Sequence, residues 1–179
     1  MNGDHLDMVE SPPAKWSFAA ALRLTLPVMG AVVAADQASK WAILDRLSDL
    51  APPRVIEVTG FLNLVLTLNT GVSFGILGGE PGWKPWALSA LAVAIVAALL
   101  VWLKRQPEPL LAMAIGMVAG GAIGNSIDRL RFGGVVDFLD FHLGDWHWFA
   151  FNVADSTIAV GVALLVLDGL FQGRRESKT

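Results

Sequence analysis

The sequence contains no cysteine. A disulfide framework, a catalytic thiolate and a cysteine-based zinc site are therefore excluded. Charged residues are also scarce, at 16% of the 179 residues, whereas apolar residues make up 54%. Typical soluble domains carry about 25% charged residues, and a small domain needs polar side chains to cover its surface. We therefore expect an integral membrane protein.

A basic surface is lacking as well, since the net charge is −3. Proteins that bind DNA or RNA usually carry a positive patch, so no nucleic-acid partner is expected. The length fits one domain on the usual scale of about 100–200 residues. We expect a single integral membrane domain over residues 1–179.

Four apolar segments are long enough to cross a bilayer: about 21–44, 85–103, 109–127 and 156–172. A helix rises about 1.5 Å per residue, and the hydrocarbon core is about 30 Å thick. The first segment contains Asp36 and Lys40, and the last contains Asp168. Ionisable residues inside a span are costly and usually face a cavity or a partner. The sequence predicts four transmembrane helices in which these charges have a role.

Four spans place both termini on one side of the membrane. The short connection between the second and third spans holds Lys104 and Arg105, and the positive-inside rule makes that side cytoplasmic. On the other side, residues 55–77 are predicted to form a small antiparallel sheet, because leucines alternate with other residues at a period of two. The alternating leucines are Leu62, Leu64, Leu66 and Leu68.

Four aspartates are predicted to meet at the extracytoplasmic side: Asp36, Asp128, Asp137 and Asp155. They fall near the ends of spans or in the loop joining the last two spans. Carboxyl groups a few ångströms apart cannot all ionise easily, so one holds a proton. An aspartyl hydrolase needs this arrangement. A relay for ion or proton transport, and purely structural pairing, are the alternatives.

Polar residues flank these acids at helical spacing. Asn125, Asp128 and Arg129 share one helical face, although Arg129 could also be an interfacial anchor. Asn152 precedes Asp155 by three residues, and a helix cap is its simpler interpretation. Three glycines at four-residue spacing predict close helix packing; they are Gly116, Gly120 and Gly124.

Several other charged residues have simple interpretations. A structural ion pair is favoured for Asp36 and Lys40, which lie four residues apart. Four aspartates are expected to be solvated loop charges: Asp45, Asp49, Asp140 and Asp145. His142 and His147 raise the question of a metal site, but the spacing of a zinc protease motif is absent. We expect no metal site.

Five blocks of sequence resemble the lipoprotein signal peptidases, or signal peptidase II. They are DQASK at 36–40, NTGVSF at 69–74, GGAIGNSIDR at 120–129, VVDF at 135–138 and FNVAD at 151–155. The blocks occur in the family's order. One residue departs from the family pattern, since Val72 stands where the family commonly has alanine.

The resemblance implies an all-α membrane protein with four transmembrane helices and a small extracytoplasmic antiparallel β-cradle. It implies an intramembrane aspartyl endopeptidase that cleaves prolipoproteins before a diacylglyceryl-modified cysteine. The expected partners are that substrate, membrane lipid and the cyclic peptide inhibitor globomycin, with no cofactor or metal. The expected location is the bacterial cytoplasmic (inner) membrane, with cytoplasmic termini and an active site near the extracytoplasmic face. We expect a monomer.

The resemblance also implies roles for individual residues. Asp137 and Asp155 are the catalytic pair. The residues that bind substrate or support the site are Asn69, Gly71, Asn125, Arg129, Asp128, Asn152, Asp36 and Lys40. The assignment of the pair is physically reasonable, because Asp128 stands beside Arg129 and can stay ionised, whereas no cation is adjacent to Asp137 in the sequence.

Overall fold

The computed structural model describes residues 16–71 and 82–176. Its helices are α1 (Phe18–Leu47), α2 (Lys84–Arg105), α3 (Pro109–Phe132) and α4 (Val153–Glu176). All four are long and apolar enough to cross a membrane. This confirms the four apolar helices of the predicted fold. Most of these helices extend a few residues beyond the predicted apolar segments. A polar residue ends an apolar segment of the sequence, but it does not break the hydrogen bonds of the helix.

Helix α3 lies at the centre of the bundle. In α3, 61% of the most apolar window is buried, against 11% in each of the other helices. A Cβ atom on Gly116 would lie 2.8 Å from the Thr25 carbonyl oxygen of α1, and one on Gly121 would lie 2.5 Å from the Ala154 carbonyl oxygen. Only glycine allows backbones to approach so closely. This confirms that the glycines of α3 form a packing surface.

The strands form one antiparallel sheet in the order β1-β2-β3-β4. They are β1 (Val55–Thr59), β2 (Leu62–Asn69), β3 (Val135–Leu143) and β4 (Trp146–His147). The alternating leucines correctly predict β2, and the small antiparallel sheet is confirmed. The predicted segment extends to residue 77, and its part from residue 72 lies outside the described residues.

Strand β3 was not expected in the segment between the last two helices. Its first four residues are all buried, and a strand buried on both faces shows no alternation in its sequence. Helix α3 ends at Phe132 and is capped by Gly133, which has a φ of 76°. This is a left-handed conformation that glycine adopts without strain. The chain then turns into β3, and Phe138 packs against Ile43 and Leu47 at the end of α1.

Candidate active site

A buried ion cluster joins α1 to α3. Lys40 Nζ lies 2.8 Å from Asp36 Oδ2 and 2.8 Å from Asp128 Oδ2. The ion pair predicted for Asp36 and Lys40 is therefore confirmed, but the cation beside Asp128 is Lys40 and not the expected Arg129. A Cβ atom on Gly124 would lie 2.5 Å from Asp36 Oδ2, so glycine makes room for this carboxylate. We call Asp36, Lys40 and Asp128 the Lys40 cluster.

The carboxylates of the Lys40 cluster also hold the segments that carry the other two acids. Asp36 Oδ1 accepts a hydrogen bond from the backbone N–H of Ala154 at 2.9 Å, and Asp128 Oδ2 accepts one from Val136 at 3.1 Å. Gln37, whose role the sequence did not indicate, donates to Asp128 Oδ1 at 3.0 Å. The cluster therefore fixes the starts of β3 and α4 against α1 and α3.

Asp137 and Asp155 are linked through one asparagine. Asn152 Nδ2 donates to Asp137 Oδ1 at 2.7 Å, and Asn152 Oδ1 accepts from the Asp155 N–H at 2.9 Å. The second bond confirms Asn152 as the cap of α4. The Asn152 N–H in turn lies 3.4 Å from Asp155 Oδ2, so the two residues form a reciprocal cap. We call Asp137 and Asp155 the aspartate pair.

Two further asparagines contact the aspartate pair from either side. Asn69 Nδ2 donates to Asp137 Oδ2 at 2.9 Å, and Asn125 Nδ2 donates to Asp155 Oδ1 at 2.8 Å. Gly71 contributes through its backbone, because its N–H donates to Asn69 Oδ1 at 2.9 Å. Its φ of 81° explains the need for glycine there. The structure thus brings these predicted site residues together.

The orientation of each asparagine carboxamide is set by a donor on its oxygen. The donors are the Gly71 N–H for Asn69, Lys40 Nζ for Asn125 and the Asp155 N–H for Asn152. Rotating a carboxamide by 180° would place two donors face to face. Each NH₂ group must therefore point at a carboxyl group of the aspartate pair. Across residues 16–71 and 82–176, no cationic side chain forms an ion pair with either of these aspartates.

Burial raises the pKa of Asp137 from 3.8 to about 6. The hydrogen bond from Asn69 opposes this rise, the negative charge of Asp155 adds to it, and Asn152 and Lys40 oppose it more weakly. A carboxyl group with a pKa this close to neutrality can both give and take a proton under physiological conditions. This is the property that acid–base chemistry requires.

Asp137 opens onto a cavity of about 290 Å³ at the end of the sheet. Its lining residues are Thr67, Leu68, Asn69, Thr70, Asp137, Phe149 and Ala150. The cavity therefore lies beside one acid of the pair and beside the asparagine that binds it.

Arg129 is separate from these contacts. It is partly buried near the end of α3, and within the described part of the chain its guanidinium has no hydrogen bond or ion pair. Asn125 and Asp128, on the same helix, are buried in the site. A contact of Arg129 with substrate therefore stays a prediction.

The expectation that Asp140 is a solvated loop charge is wrong. Asp140 is buried in β3, accepts a hydrogen bond from Asn63 Nδ2 at 3.2 Å and lies 2.9 Å from His147 Nδ1. The error follows from the missed strand, which turns this side chain inward. Asp45, Asp49 and Asp145 are exposed, as expected.

The two histidines lie across from each other on β3 and β4. Their rings stack with centroids 5.1 Å apart, and His142 pairs with His147 in the strand register. Among the described residues, no group of three or more His, Asp or Glu side chains is arranged to hold a metal ion.

Comparison with known proteins identifies the family. A family model described as signal peptidase (SPase) II matches residues 28–171. A lipoprotein signal peptidase of Burkholderia multivorans is 44% identical over 161 residues, which cover 89% of this chain and 93% of that protein. One of Paraburkholderia phytofirmans is 46% identical over 135 residues, or 72% of this chain and 78% of that protein.

The fold has solved relatives as well. A bacterial membrane enzyme determined by the in meso method at 1.9 Å resolution superposes with a TM-score of 0.70 at 31% identity. The match covers 82% of this chain and 92% of that structure. Together with the five sequence blocks and the site geometry, these matches show that the chain belongs to the signal peptidase II family of peptidases.

Proposed function

We propose that the protein is an intramembrane aspartyl endopeptidase that removes the signal peptide from prolipoproteins. Cleavage takes place immediately before the diacylglyceryl-modified cysteine. Asp137 and Asp155 carry the chemistry, and the proposed partners are the prolipoprotein, membrane lipid and the inhibitor globomycin. The relatives from Burkholderia multivorans and Paraburkholderia phytofirmans are named lipoprotein signal peptidases, which supports this proposal.

The link between Asp137 and Asp155 through Asn152 is the observation that carries the proposal. Asn152 bonds to the side chain of Asp137 and to the backbone of Asp155. Burial and the charge of Asp155 both raise the pKa of Asp137. A pair that shares one proton can supply an acid and a base at once.

The first step adds water to the peptide bond. Asp155 takes a proton from a water molecule, whose oxygen attacks the carbonyl carbon, and protonated Asp137 donates its proton to the carbonyl oxygen. The product is a tetrahedral diol. Asp137 is assigned the proton because its raised pKa keeps it protonated to higher pH than an ordinary carboxyl group.

The second step breaks the carbon–nitrogen bond. Asp155 gives its proton to the departing nitrogen of the cysteine, and Asp137 takes a proton back from a hydroxyl group of the diol. One water molecule is consumed and the pair returns to its starting protonation. Neither step requires a metal ion or a soluble cofactor.

We further propose that the aspartate pair lies near the extracytoplasmic face of the bacterial inner membrane, and that the protein acts as a monomer. Asp137 lies near the start of β3 and Asp155 near the start of α4, beside the later parts of α1 and α3 that hold the Lys40 cluster, and these segments share one end of the bundle. Lys104 and Arg105, in the last turn of α2, belong to the opposite end. The positive-inside rule makes that end cytoplasmic, together with both termini.

The test is cleavage of a diacylated prolipoprotein by the purified full-length protein in lipid. We expect a product whose mass corresponds to a chain starting at the lipid-modified cysteine, and we expect globomycin to block its formation. The matched control is the same precursor without the diacylglyceryl group. Absence of cleavage, or cleavage that ignores both globomycin and the lipid group, would contradict the proposal.

A further inference from the structure

Phe149 is an exposed aromatic residue at the cavity beside Asp137. Its exposed fraction of 85% is the highest among the large apolar residues that the structure describes. The cavity lining is otherwise polar or small, apart from Leu68. The phenyl ring of Phe149 is therefore the largest apolar group among the residues that line this cavity.

The backbone around Phe149 is held on both sides. The Trp148 N–H donates to the Phe141 carbonyl oxygen at 2.8 Å, and the Phe151 N–H donates to the Leu139 carbonyl oxygen at 3.1 Å. Phe151 also accepts from the N–H of Leu139 at 2.8 Å. The ring is therefore presented by a fixed segment, which reduces the entropy lost when a ligand packs against it.

Other exposed aromatic residues close to Phe149 in the sequence line a different cavity. Trp146 and Trp148 line a separate cavity formed with Phe61, Phe141, His142 and Leu143. That cavity does not include the aspartate pair or the asparagines that bind it. Phe149 is therefore the one aromatic ring among the described residues that line the cavity of Asp137.

We propose that Phe149 is a specificity-determining residue, which packs against an apolar group beside the scissile bond. The inference rests on the proposed function, because that function places the scissile bond at Asp137. The apolar group is either an acyl chain of the lipid-modified cysteine or the side chain just before that cysteine. Burying a phenyl ring increases affinity by roughly ten- to a hundredfold.

The test is the kinetics of Phe149→Ala on the diacylated precursor. We expect KM to rise about tenfold while kcat stays within about twofold, because the ring contributes binding in both the ground and the transition state. Phe149→Leu should recover most of the loss. The matched control is Trp146→Ala, which removes an exposed aromatic ring outside this cavity and should leave KM unchanged.

Two altered substrates identify the group that Phe149 contacts. If it is an acyl chain, the penalty of Phe149→Ala shrinks on a precursor with short acyl chains. If it is the preceding side chain, the penalty shrinks when that residue is alanine. An unchanged KM in Phe149→Ala, or an equal rise in Trp146→Ala, overturns this inference alone. A wild-type protein that cleaves no precursor overturns the proposed function as well.

Discussion

Asp36 and Asp128 share the ammonium group of Lys40, whereas Asp137 and Asp155 are bonded to asparagine side chains and backbone groups. The two sets lie on adjoining segments, and three of the four side chains are almost fully buried. Burial of a charge is tolerated when a cation and further donors compensate it. The first set has such a cation, whereas the second is surrounded by neutral donors.

Asn125 connects the two sets. Its Oδ1 accepts from Lys40 at 3.2 Å and its Nδ2 donates to Asp155 at 2.8 Å. The Lys40 cluster thus fixes the orientation of a side chain that contacts the aspartate pair. The comparison shows that the two sets of carboxylates differ in their donors, which are an ammonium group in one set and amide groups in the other.

Removing either acid of the aspartate pair should have the largest effect. We expect Asp137→Asn and Asp155→Asn to remain folded and to lose more than about a thousandfold in kcat, because each removes an essential proton donor or acceptor. The measurement is prolipoprotein cleavage, with circular dichroism as the check of folding. Asp145→Asn changes an exposed aspartate and should be fully active. Normal turnover in either pair variant would refute the assignment.

Removing the shared cation should mainly affect stability. Lys40→Met leaves Asp36 and Asp128 buried without their cation, which should lower the free energy of unfolding by about 3–5 kcal/mol. Thermal unfolding in detergent measures the loss. Lys104→Met, which removes an exposed lysine at the end of α2, is the control. Adding Asp128→Asn to Lys40→Met should recover part of the stability, and an unaltered melting temperature in Lys40→Met would contradict the structural role.

Much of the fold could be predicted from the sequence because long apolar segments have few alternatives to membrane helices. Helix α2 shows this most clearly, since its core has no charge between Lys84 and Lys104. Strand β2 was visible because its leucines alternate with other residues, although burial along the strand does not follow that alternation. Strand β3 was not, because the consecutive burial of its first four residues removes the period-two pattern.

The sequence predicted which polar residues lie close together, except for Arg129, but it did not predict which of them bond to one another. Spacing along α3 places Asp128 beside Arg129, yet the partner of Asp128 is Lys40, 88 positions away in the sequence. Gln37 was overlooked for the same reason, because its hydrogen bond to Asp128 crosses between helices. Contacts between distant segments depend on packing, which local periodicity does not describe.

Reversing the hydrogen-bonding character of Asn125 should have an intermediate effect on catalysis. Asn125→Asp keeps the oxygen that faces Lys40 but replaces the donor that faces Asp155 with an acceptor. A hydrogen bond to a charged group is worth about 1.5–3 kcal/mol, so kcat should fall roughly 10- to 100-fold. The matched control is Asn63→Asp, since Asn63 donates to Asp140 away from the pair. An equal loss in both variants would indicate a general effect on folding.

The pH dependence of the reaction should show the smallest change, and its direction can be worked out. The pKa of Asp137 is raised from 3.8 to about 6, so its protonated form persists to higher pH than in an ordinary carboxyl group. Because the proposed reaction needs that proton, kcat/KM should fall as the pH rises through about 6. The hydrogen bond from Asn69 opposes the shift. Asn69→Leu should therefore raise the pKa of Asp137 further. The falling limb of the profile, which is the pH range over which kcat/KM declines, should then move to higher pH.

Thr67→Val provides the control for this shift, because Thr67 lines the same cavity without contributing to the pKa of Asp137. The falling limb should stay at the wild-type position in this variant, even if KM changes. A limb that moves to lower pH in Asn69→Leu would show that Asn69 does not stabilise ionised Asp137. A limb that moves equally in both variants would instead assign the shift to the cavity as a whole. The position of this limb therefore shows whether a neutral amide donor lowers the pKa of Asp137. Such an effect would distinguish the aspartate pair from the Lys40 cluster, whose carboxylates are bound by a cation.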